Sequence, residues 1–507
     1  KIVFTKSSLY FLCLKKHNGR TTMRNKISLV LAGLLGSGLL VADEVNTQAP
    51  SEAKKTLSGF FDGMEAKGFA FARYTTIDGR AGTGADQQYR MKLDLTSGKV
   101  EGWSFTGGIM FNYGGSNPTA TSNTDYGAQG SMAVITGKNY NDRFGVATFS
   151  VNKEIVTQNT TTTFNFGRLN IDNVFADKTT DLGTGGKARF KTSSGITYGA
   201  DYFDSWITSH AIYNMRSFGL NASSNYNGSL GNDLIMLSIK GDKVGGSGFS
   251  FNVAAGHANR LLDYLAFVDA KYDFGGFYVL GQVSAAGMTS NPAFYTDAGT
   301  LYSGYVTGNG QPWGGAINGG INGGSRTDYT GFNNNMDWAS SRGIYNIQIG
   351  YKSKEAPISG KLGYIGSFGD GYGTLLDVKG GLDMAGKFWN NNYDATNEGF
   401  GFMGAGGRKG TNIQVVYLAL NLALGKSWNL GLDYSRISGD NNYPFVANVI
   451  STAASEAALA GKGITFHEVA PSLTYKPIKN VTAVAMYGRN FGDVNYGKAR
   501  FEIRYDF

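Results

Sequence analysis

The sequence predicts an all-β fold: a transmembrane antiparallel β-barrel of about 18 strands, with a short N-terminal helix. Segments of alternating apolar and polar side chains recur along the chain, and an apolar leader precedes them. The C-terminal segment shows the alternation most clearly, with one apolar and one charged face: Phe501, Ile503, Tyr505 and Phe507 against Glu502, Arg504 and Asp506. A soluble sheet shows the same alternation. Its recurrence behind a leader favours a strand with lipid on one side and water on the other.

The N-terminal region has the features of a secretory leader. Arg24 and Lys26 follow Met23, an apolar run covers 27–41, and Asp43 comes soon after it. This order is typical of a signal peptide, and the run is short for a membrane-spanning helix. A longer leader is the alternative. Four parts are predicted: an upstream stretch at 1–22, a signal peptide at 23–42, a periplasmic lead-in at 43–66 and an outer-membrane barrel at 67–507.

The basic net charge belongs mostly to this leader. Residues 1–42 hold seven of the 46 basic residues and no acidic residue, which leaves 39 basic against 38 acidic residues in the rest. A near-neutral chain gives no reason to expect nucleic-acid binding. The single cysteine, Cys13, lies in the upstream stretch, so no disulfide is expected after processing.

A short amphipathic helix is predicted at 51–65, before the first strand. Leu57, Phe60, Phe61 and Met64 follow helical i, i+3, i+4, i+7 spacing. The alternative is a partly ordered terminus.

Strand positions follow from the alternation combined with loop parity. Short periplasmic turns and long outer loops must alternate around such a barrel. Counting backwards from Phe507 gives 18 strands, with 16 as the fallback. Parity makes 367–411 a single outer loop. Alternation is poor in 144–169 and 195–222, where the predicted strands are 144–152, 161–169, 195–203 and 213–222, with 170–194 as an outer loop between the second and third of these.

The polar faces of these strands are predicted to point into the lumen and line a pore. The predicted pore-lining residues are Arg90, Lys92, Asp94, Asn346, Gln348, Lys361, Asp433, Arg500, Glu502 and Arg504. Charges of both signs around a water-filled pore tune ion selectivity. The alternative is a solvated, charge-balanced wall with no special task.

An inward-folding loop is expected to narrow the pore, and 170–194 is the first candidate because it mixes both signs of charge. Its charged residues are Asp172, Asp177, Asp181, Lys187, Arg189 and Lys191. Loop 288–342, rich in Gly and Asn, is the second candidate. The alternative for each is an ordinary surface loop.

Catalytic and cofactor chemistry is not expected. His210, His257 and His467 lie far apart in sequence, and the glycine pattern at 399–404 neither follows a buried strand nor opens a helix. No cofactor is predicted. The cluster Asp440-Asn441-Asn442 offers oxygen ligands for Ca²⁺, but the spacing of a known calcium loop does not support such a site.

Three segments resemble a family of outer-membrane proteins: 59–74, 164–170 and 501–507. With the leader and the terminal Phe, the chain resembles the porin-like major outer-membrane proteins of the Campylobacter and Helicobacter lineage. These are similar in plan to 18-strand specific-channel porins. The resemblance implies passive diffusion of small hydrophilic solutes, often through a trimer.

The sequence therefore predicts an outer-membrane porin whose partners are outer-membrane lipid, small solutes and ions, and other copies of the chain. Ile503, Tyr505 and Phe507 are predicted to form the signal that the barrel-assembly machinery reads. The alternative function is an adhesin or structural barrel that acts through its large surface loops.

Overall fold

The computed structural model describes most of the predicted barrel region. The described residues are 59–79, 82–118, 143–179, 181–207, 233–259, 262–288, 339–352, 355–376, 380–389, 410–440, 463–493 and 495–507. The predicted signal peptide, the glycine pattern at 399–404, most of loop 288–342 and His210 lie outside them, as do Asn441 and Asn442.

Eighteen antiparallel strands form one sheet. Their bounds are β1 Glu65–Gly79, β2 Gly82–Thr96, β3 Trp103–Pro118, β4 Arg143–Val156, β5 Thr160–Asn170, β6 Leu182–Thr192, β7 Ile196–Ile207, β8 Leu234–Gly241, β9 Phe249–Ala258, β10 Leu262–Phe274, β11 Phe277–Met288, β12 Ser341–Lys352, β13 Ile358–Gly369, β14 Asn412–Leu424, β15 Trp428–Asp440, β16 Ile464–Tyr475, β17 Val481–Gly492 and β18 Tyr496–Asp506. Each strand pairs with the next along the chain, and the predicted count of 18 is confirmed.

Pairing between the first and last strands closes the sheet into a barrel. The β1–β18 ladder runs from Phe69 opposite Asp506 to Gly79 opposite Tyr496. Phe507 extends this seam, because its backbone N–H and C=O both bond to Gly68, at 3.1 and 3.0 Å. A closed sheet leaves no unpaired edge, which is the condition for strands to cross lipid.

The two faces of the sheet differ as the sequence pattern predicts. Residues that are directly paired across neighbouring strands lie on the same face of the sheet. The outward face carries exposed apolar side chains such as Ile347 and Leu430. The alternate positions point inward and are largely polar or charged. The described part of the chain contains 45 exposed large hydrophobic side chains, far more than a soluble surface carries in one continuous band.

One strand lies where a loop was expected. Residues 182–192 form β6, so the prediction of 170–194 as a single loop is wrong. Because β6 was not predicted, 195–203 was expected to be the sixth strand but belongs to the seventh, β7, so it crosses the membrane in the opposite direction to the one expected. The expected strand 213–222 lies outside the described residues. The outward face of β6 offers few large apolar side chains, while its inward face carries Lys187, Arg189 and Lys191, so its composition resembles that of a loop.

The N-terminal helix is seen only at its end. Residues 59–61 are helical, 51–58 lie outside the described residues, and β1 already begins at Glu65. The C-terminal limit of the predicted helix, residue 65, is therefore too late.

None of the helices in the described ranges is both long enough and apolar enough to cross a membrane.

Candidate functional site in the barrel lumen

Two described stretches of the connection between β13 and β14, 370–376 and 380–389, fold against the inner wall instead of remaining outside. Residues 410–411 are the other described part of this connection and lead into β14. The carboxylate of Asp383 accepts hydrogen bonds from Lys361 Nζ at 2.5 Å and Gln348 Nε2 at 3.0 Å. The backbone of Asp383 accepts from Asn346 Nδ2 at 2.7 Å and donates to Gln282 Oε1 at 2.8 Å. Polar wall residues of three strands therefore fix this part of the connection.

A buried carboxylate holds the next stretch. Glu468 of β16 is fully buried, and its two oxygens accept the backbone N–H groups of Lys387, Phe388 and Trp389 at 2.6 to 3.3 Å. Hydrogen bonds to an ionised acceptor are stronger than those between neutral groups. Three donors in succession offset the cost of taking this carboxylate out of water.

Neighbouring wall residues complete the attachment. Asp433 of β15 accepts from the backbone of Gly386 at 3.0 Å and pairs with Lys387 Nζ at 3.3 Å. Trp389 is fully buried and donates its indole N–H to Ser435 Oγ at 3.0 Å. Gly386 has a φ of +110°, and a Cβ there would collide with the Trp389 indole, so this turn requires glycine.

Beyond Asp433 and Glu468, the connection reaches β17 and β18. The ring of Phe388 lies against Gly488 of β17, where a side chain would collide with it. Lys498 Nζ and Arg500 Cζ of β18 lie 5.6 and 5.5 Å from the centre of the same ring. The described connection thus contacts the inner wall from β11 to β18.

The described residues of the β5–β6 connection, 171–179 and 181, also enter the lumen. Phe175 is fully buried and packs edge-on against Phe267 of β10, with ring centres 6.4 Å apart. At its other end, Lys92 of β2 donates to the backbone oxygen of Thr179 at 2.9 Å and also bonds to Asn170. Because β2 and β10 are far apart around the sheet, the connection crosses the barrel interior.

The two connections meet and bond to each other. The Leu376 N–H donates to the Phe175 oxygen at 2.9 Å, and the Gly381 N–H donates to the Val174 oxygen at 2.6 Å. A side chain at Gly381 would collide with Val174 and crowd Phe267. We call the described stretches of these connections that enter the lumen, 171–179 with 181, 370–376 and 380–389, the lumen strap.

The wall formed by β18, β1 and β2 carries a concentration of cations. Its inward-pointing cationic side chains are Lys67, Arg73, Arg90, Lys92, Lys498, Arg500 and Arg504. Asp94, Glu502 and Asp506 lie among them, and Glu502 pairs with Arg73 at 2.6 Å. Stacking on aromatic rings orients two of the arginines: Arg504 Cζ lies 4.3 Å from the centre of the Phe69 ring, and Arg73 Cζ lies 4.7 Å from that of Phe71.

All ten residues predicted to line the pore occupy inward positions, and five of them bond to the lumen strap: Lys92, Asn346, Gln348, Lys361 and Asp433. Asn346, Gln348 and Asp433 are at most 4 % exposed because the lumen strap lies on them. These three residues anchor the strap, and their predicted role in lining the pore stays a prediction. Arg90 and Lys92 are also buried, whereas Arg504 has a third of its side chain exposed. Their role in conduction stays a prediction.

The residues predicted for the constriction loop separate into two groups. Lys187, Arg189 and Lys191 lie on the inner face of β6, where Arg189 forms a two-point ion pair with Asp201. The three acidic residues do lie in the connection, but two of them shape its turn. Asp177 Oδ1 accepts from the Thr179 N–H at 2.7 Å, and Asp181 Oδ2 accepts from the Asp177 N–H at 2.8 Å. Asp172 lies 3.9 Å from Lys187.

Sequence reasoning missed the larger part of the strap. Parity assigned 367–411 to an outer loop, and nothing in that assignment says which way a loop folds. An inward-folding connection could have been inferred from four polar side chains at inward positions, because a polar side chain that is buried needs a hydrogen-bond partner. These side chains are Asn346, Gln348, Asp433 and Glu468.

Two other features of the described residues bear on chemistry. His257 and His467 lie at outward positions of the wall, away from the lumen. Within the described ranges there is no cluster of three or more His, Cys, Asp or Glu side chains that could hold a metal ion.

Solved structures share this fold at low sequence identity. Pseudomonas aeruginosa OccD3 (OpdP) aligns with a TM-score of 0.52 at 11 % identity, over 89 % of this chain and 92 % of its own. Acinetobacter baumannii OccAB3 aligns with a TM-score of 0.52 at 10 % identity, over 88 % of this chain and 99 % of its own. P. aeruginosa OccK8 (OprE) aligns with a TM-score of 0.52 at 12 % identity, over 89 % of this chain and 99 % of its own. The fold is that of 18-strand outer-membrane porins.

No protein-family profile matches the sequence, and no curated protein sequence matches it either. The resemblance to the Campylobacter and Helicobacter lineage therefore stays a prediction. The closed sheet and its apolar exterior place the chain in the outer membrane, with the short connections on the periplasmic side.

Proposed function

We propose that this protein is a passive channel for small hydrophilic solutes, narrowed by the lumen strap. The observation that carries the proposal is the strap itself, which two connections build inside a closed barrel by bonding to each other and by contacting wall residues of β2, β6, β8 and β10 to β18. Barrels of 16 to 18 strands enclose an aqueous lumen unless something fills it. A strap fixed at many points narrows that lumen to a defined opening.

Charge on the remaining wall supports a preference for anionic solutes. Apart from Lys92 of β2 and Lys187 of β6, the wall contacts of the strap lie along β8 and β10 to β18, so the opening lies on the side of β1 to β7, with the cations of β18, β1 and β2 at its edge. Lys67, Arg73, Arg500 and Arg504 are the exposed or partly exposed cations there, and three of them lie beside carboxylates: Lys67 beside Glu65, Arg73 beside Glu502 and Arg504 beside Asp506. Cationic side chains in a pore with low-dielectric walls raise the local concentration of anions. No catalytic step and no cofactor form part of this proposal.

Single-channel recording of the refolded protein in a planar bilayer tests the proposal. We expect stable steps whose conductance is small for an 18-strand barrel, and reversal potentials in a KCl gradient that indicate preference for chloride. Folding is checked independently by the heat-dependent gel shift of intact barrels. Folded protein that carries no current would overturn the channel proposal and favour the adhesin alternative. Cation preference would overturn the charge argument alone.

The assembly and processing predicted for the chain also stay proposals. A homotrimer is checked by chemical crosslinking in the outer membrane, and recognition by the assembly machinery by truncating Phe507 and measuring insertion.

A further inference from the structure

A basic patch faces outward near the outer ends of β15, β16 and β17. It consists of Arg436, His467 and Arg489, and we call it the outer basic patch. Arg436 and Arg489 are exposed, and each lies between two buried, inward-pointing neighbours on its strand. His467 is directly opposite Arg436 in the β15–β16 ladder. These three side chains therefore project from the barrel toward the membrane.

Aromatic side chains frame this patch. The Tyr434 hydroxyl lies 2.9 Å from His467 Nδ1, and the His467 and Phe491 rings stack with centres 5.0 Å apart at 8°. Amphipathic aromatic rings concentrate where the hydrocarbon of a membrane meets its headgroups. The stack therefore marks the height of the outer interface on this side of the barrel.

Strand geometry gives the same height. Trp428 lies at the periplasmic end of β15, and Arg436 lies eight residues, or about 27 Å, further along the same strand. At a tilt of about 40° this is about 20 Å along the membrane normal, near the outer edge of an apolar band about 25 Å tall. A long arginine side chain reaches further outward and keeps its charge among headgroups.

Among the described residues, the carboxylates at the same strand ends bond to groups outside the patch. Asp440 accepts hydrogen bonds from Asn412 Nδ2 and the Gly463 N–H, and Asp493 accepts from the Thr465 N–H. Arg489 donates one hydrogen bond to Asn495, a neutral amide, at 2.6 Å, and this leaves most of its N–H donors for another partner. Arginines so placed match the geometry of a phosphate group.

From this exposure, height and charge, we infer that the outer basic patch binds the phosphorylated headgroup of a glycolipid in the outer leaflet. The strands β15 and β17 lie about 10 Å apart across β16, and Arg489 is offset by two residues, about 7 Å along the strand, from the position level with Arg436. The two backbones are therefore about 12 Å apart, and one phosphate or two on the same headgroup lie within reach of these long side chains. Charge complementarity at headgroup level selects an anionic lipid over a second copy of the chain, whose matching surface would bring like charges together. The site does not depend on whether the barrel conducts.

Lipid binding measured by native mass spectrometry tests the inference. The purified protein in neutral detergent is titrated with diphosphorylated lipid A, with the same lipid after removal of both phosphates, and with phosphatidylglycerol. We expect the diphosphorylated lipid to bind most tightly. The double variant Arg436→Gln/Arg489→Gln is expected to bind it about tenfold more weakly, since each arginine supplies charge-assisted hydrogen bonds.

A matched control is Lys153→Gln, a partly exposed outward cation that lies over Trp103 near the periplasmic rim. It should leave lipid A binding unchanged. The heat-dependent gel shift confirms that each variant is folded.

Equal binding of the dephosphorylated lipid, or unchanged binding by the double variant, would overturn the inference. Equal binding of phosphatidylglycerol would also overturn it, since the surface would then recognise anionic lipid in general. A changed oligomeric mass with unchanged lipid binding would make the patch a contact between protomers.

Discussion

Single side chains fix the lumen strap to the wall, and Glu468 is the most heavily used. Its fully buried carboxylate accepts three consecutive backbone N–H groups, so the strap adopts one path over β16. Removal of one partner from a buried charged group is costly because the other partners lose their bonds as well. The residue-scale predictions concern this anchor and the charges of the opening.

Glu468→Gln is expected to loosen the strap without unfolding the barrel. Each hydrogen bond to the carboxylate contributes roughly 1.5–3 kcal/mol, and glutamine retains only one acceptor oxygen. Single-channel recording should show higher conductance and more current noise than wild type. The control is Glu154→Gln, whose carboxylate pairs with Lys99 near the periplasmic turn. Identical traces for Glu468→Gln and wild type would show that this anchor does not set the opening.

Arg504→Gln and Glu502→Gln are expected to shift ion selectivity in opposite directions. Two charges about 4 Å apart in a water-like environment interact by roughly 1 kcal/mol, which corresponds to about a fivefold change in relative ion occupancy. Loss of Arg504 should reduce chloride preference, and loss of Glu502 should increase it. Reversal potentials in a KCl gradient measure both. Shifts in the same direction would mean that these side chains do not face the ion pathway.

Two connections between strands decide what the barrel encloses. The β5–β6 connection reaches Phe267 and Lys92 on opposite parts of the wall, and the β13–β14 connection follows the wall from β11 to β18. They bond to each other at Val174 and Phe175. Each connection thus supports the other, so the strap is expected to respond as one element.

Replacement of 381–389 by a short Gly-Ser linker is expected to widen the channel. The strands β13 and β14 keep their pairing partners, so the barrel should fold, while the wall polar groups become hydrated. Conductance should rise severalfold, toward that of an unobstructed barrel of this size. A matched replacement of 173–179 should give a smaller rise, because it leaves the contacts with β15 to β18 intact. The excision must stop before Leu182, where β6 begins.

At the scale of the whole molecule, closure depends on the seam between β1 and β18. Gly68 exchanges two hydrogen bonds with Phe507, and a Cβ at Gly68 would collide with the Lys92 backbone oxygen and lie 2.9 Å from the Phe507 ring. Backbone atoms cannot move aside cheaply, so this position requires glycine.

Gly68→Ala is therefore expected to reduce the yield of folded barrel and lower its unfolding temperature in detergent. Gly107→Ala on β3 is the control, because a Cβ there meets nothing within 4 Å. The fraction of heat-shifted protein on gels, followed with temperature, measures both variants. Equal stability of the two variants would mean that the seam tolerates a side chain at this position.

The barrel was predictable from the sequence for a physical reason. Lipid forces every outward position to be apolar and every backbone group to pair within the sheet, so the alternation and the strand count follow from the side-chain pattern. The terminal run from Phe501 to Phe507 shows this directly. The rule failed at β6, where large apolar side chains are few on the outward face and three cations point inward. Because its inward positions are cationic and its outward positions are mostly small, the amino-acid composition of β6 does not distinguish it from a loop.

The sequence by itself determined the closed, membrane-spanning sheet. Lipid on the outer face and water on the inner face require successive residues of each strand to alternate between apolar and polar side chains, and this pattern is visible locally in the sequence. Only the tertiary structure decided which connections enter the lumen. The bonds that hold 380–389, from Asp383, Asp433 and Glu468, join residues 22 to 101 positions apart in the chain. They exist only after the barrel has brought its strands together, so no local pattern of residues records them.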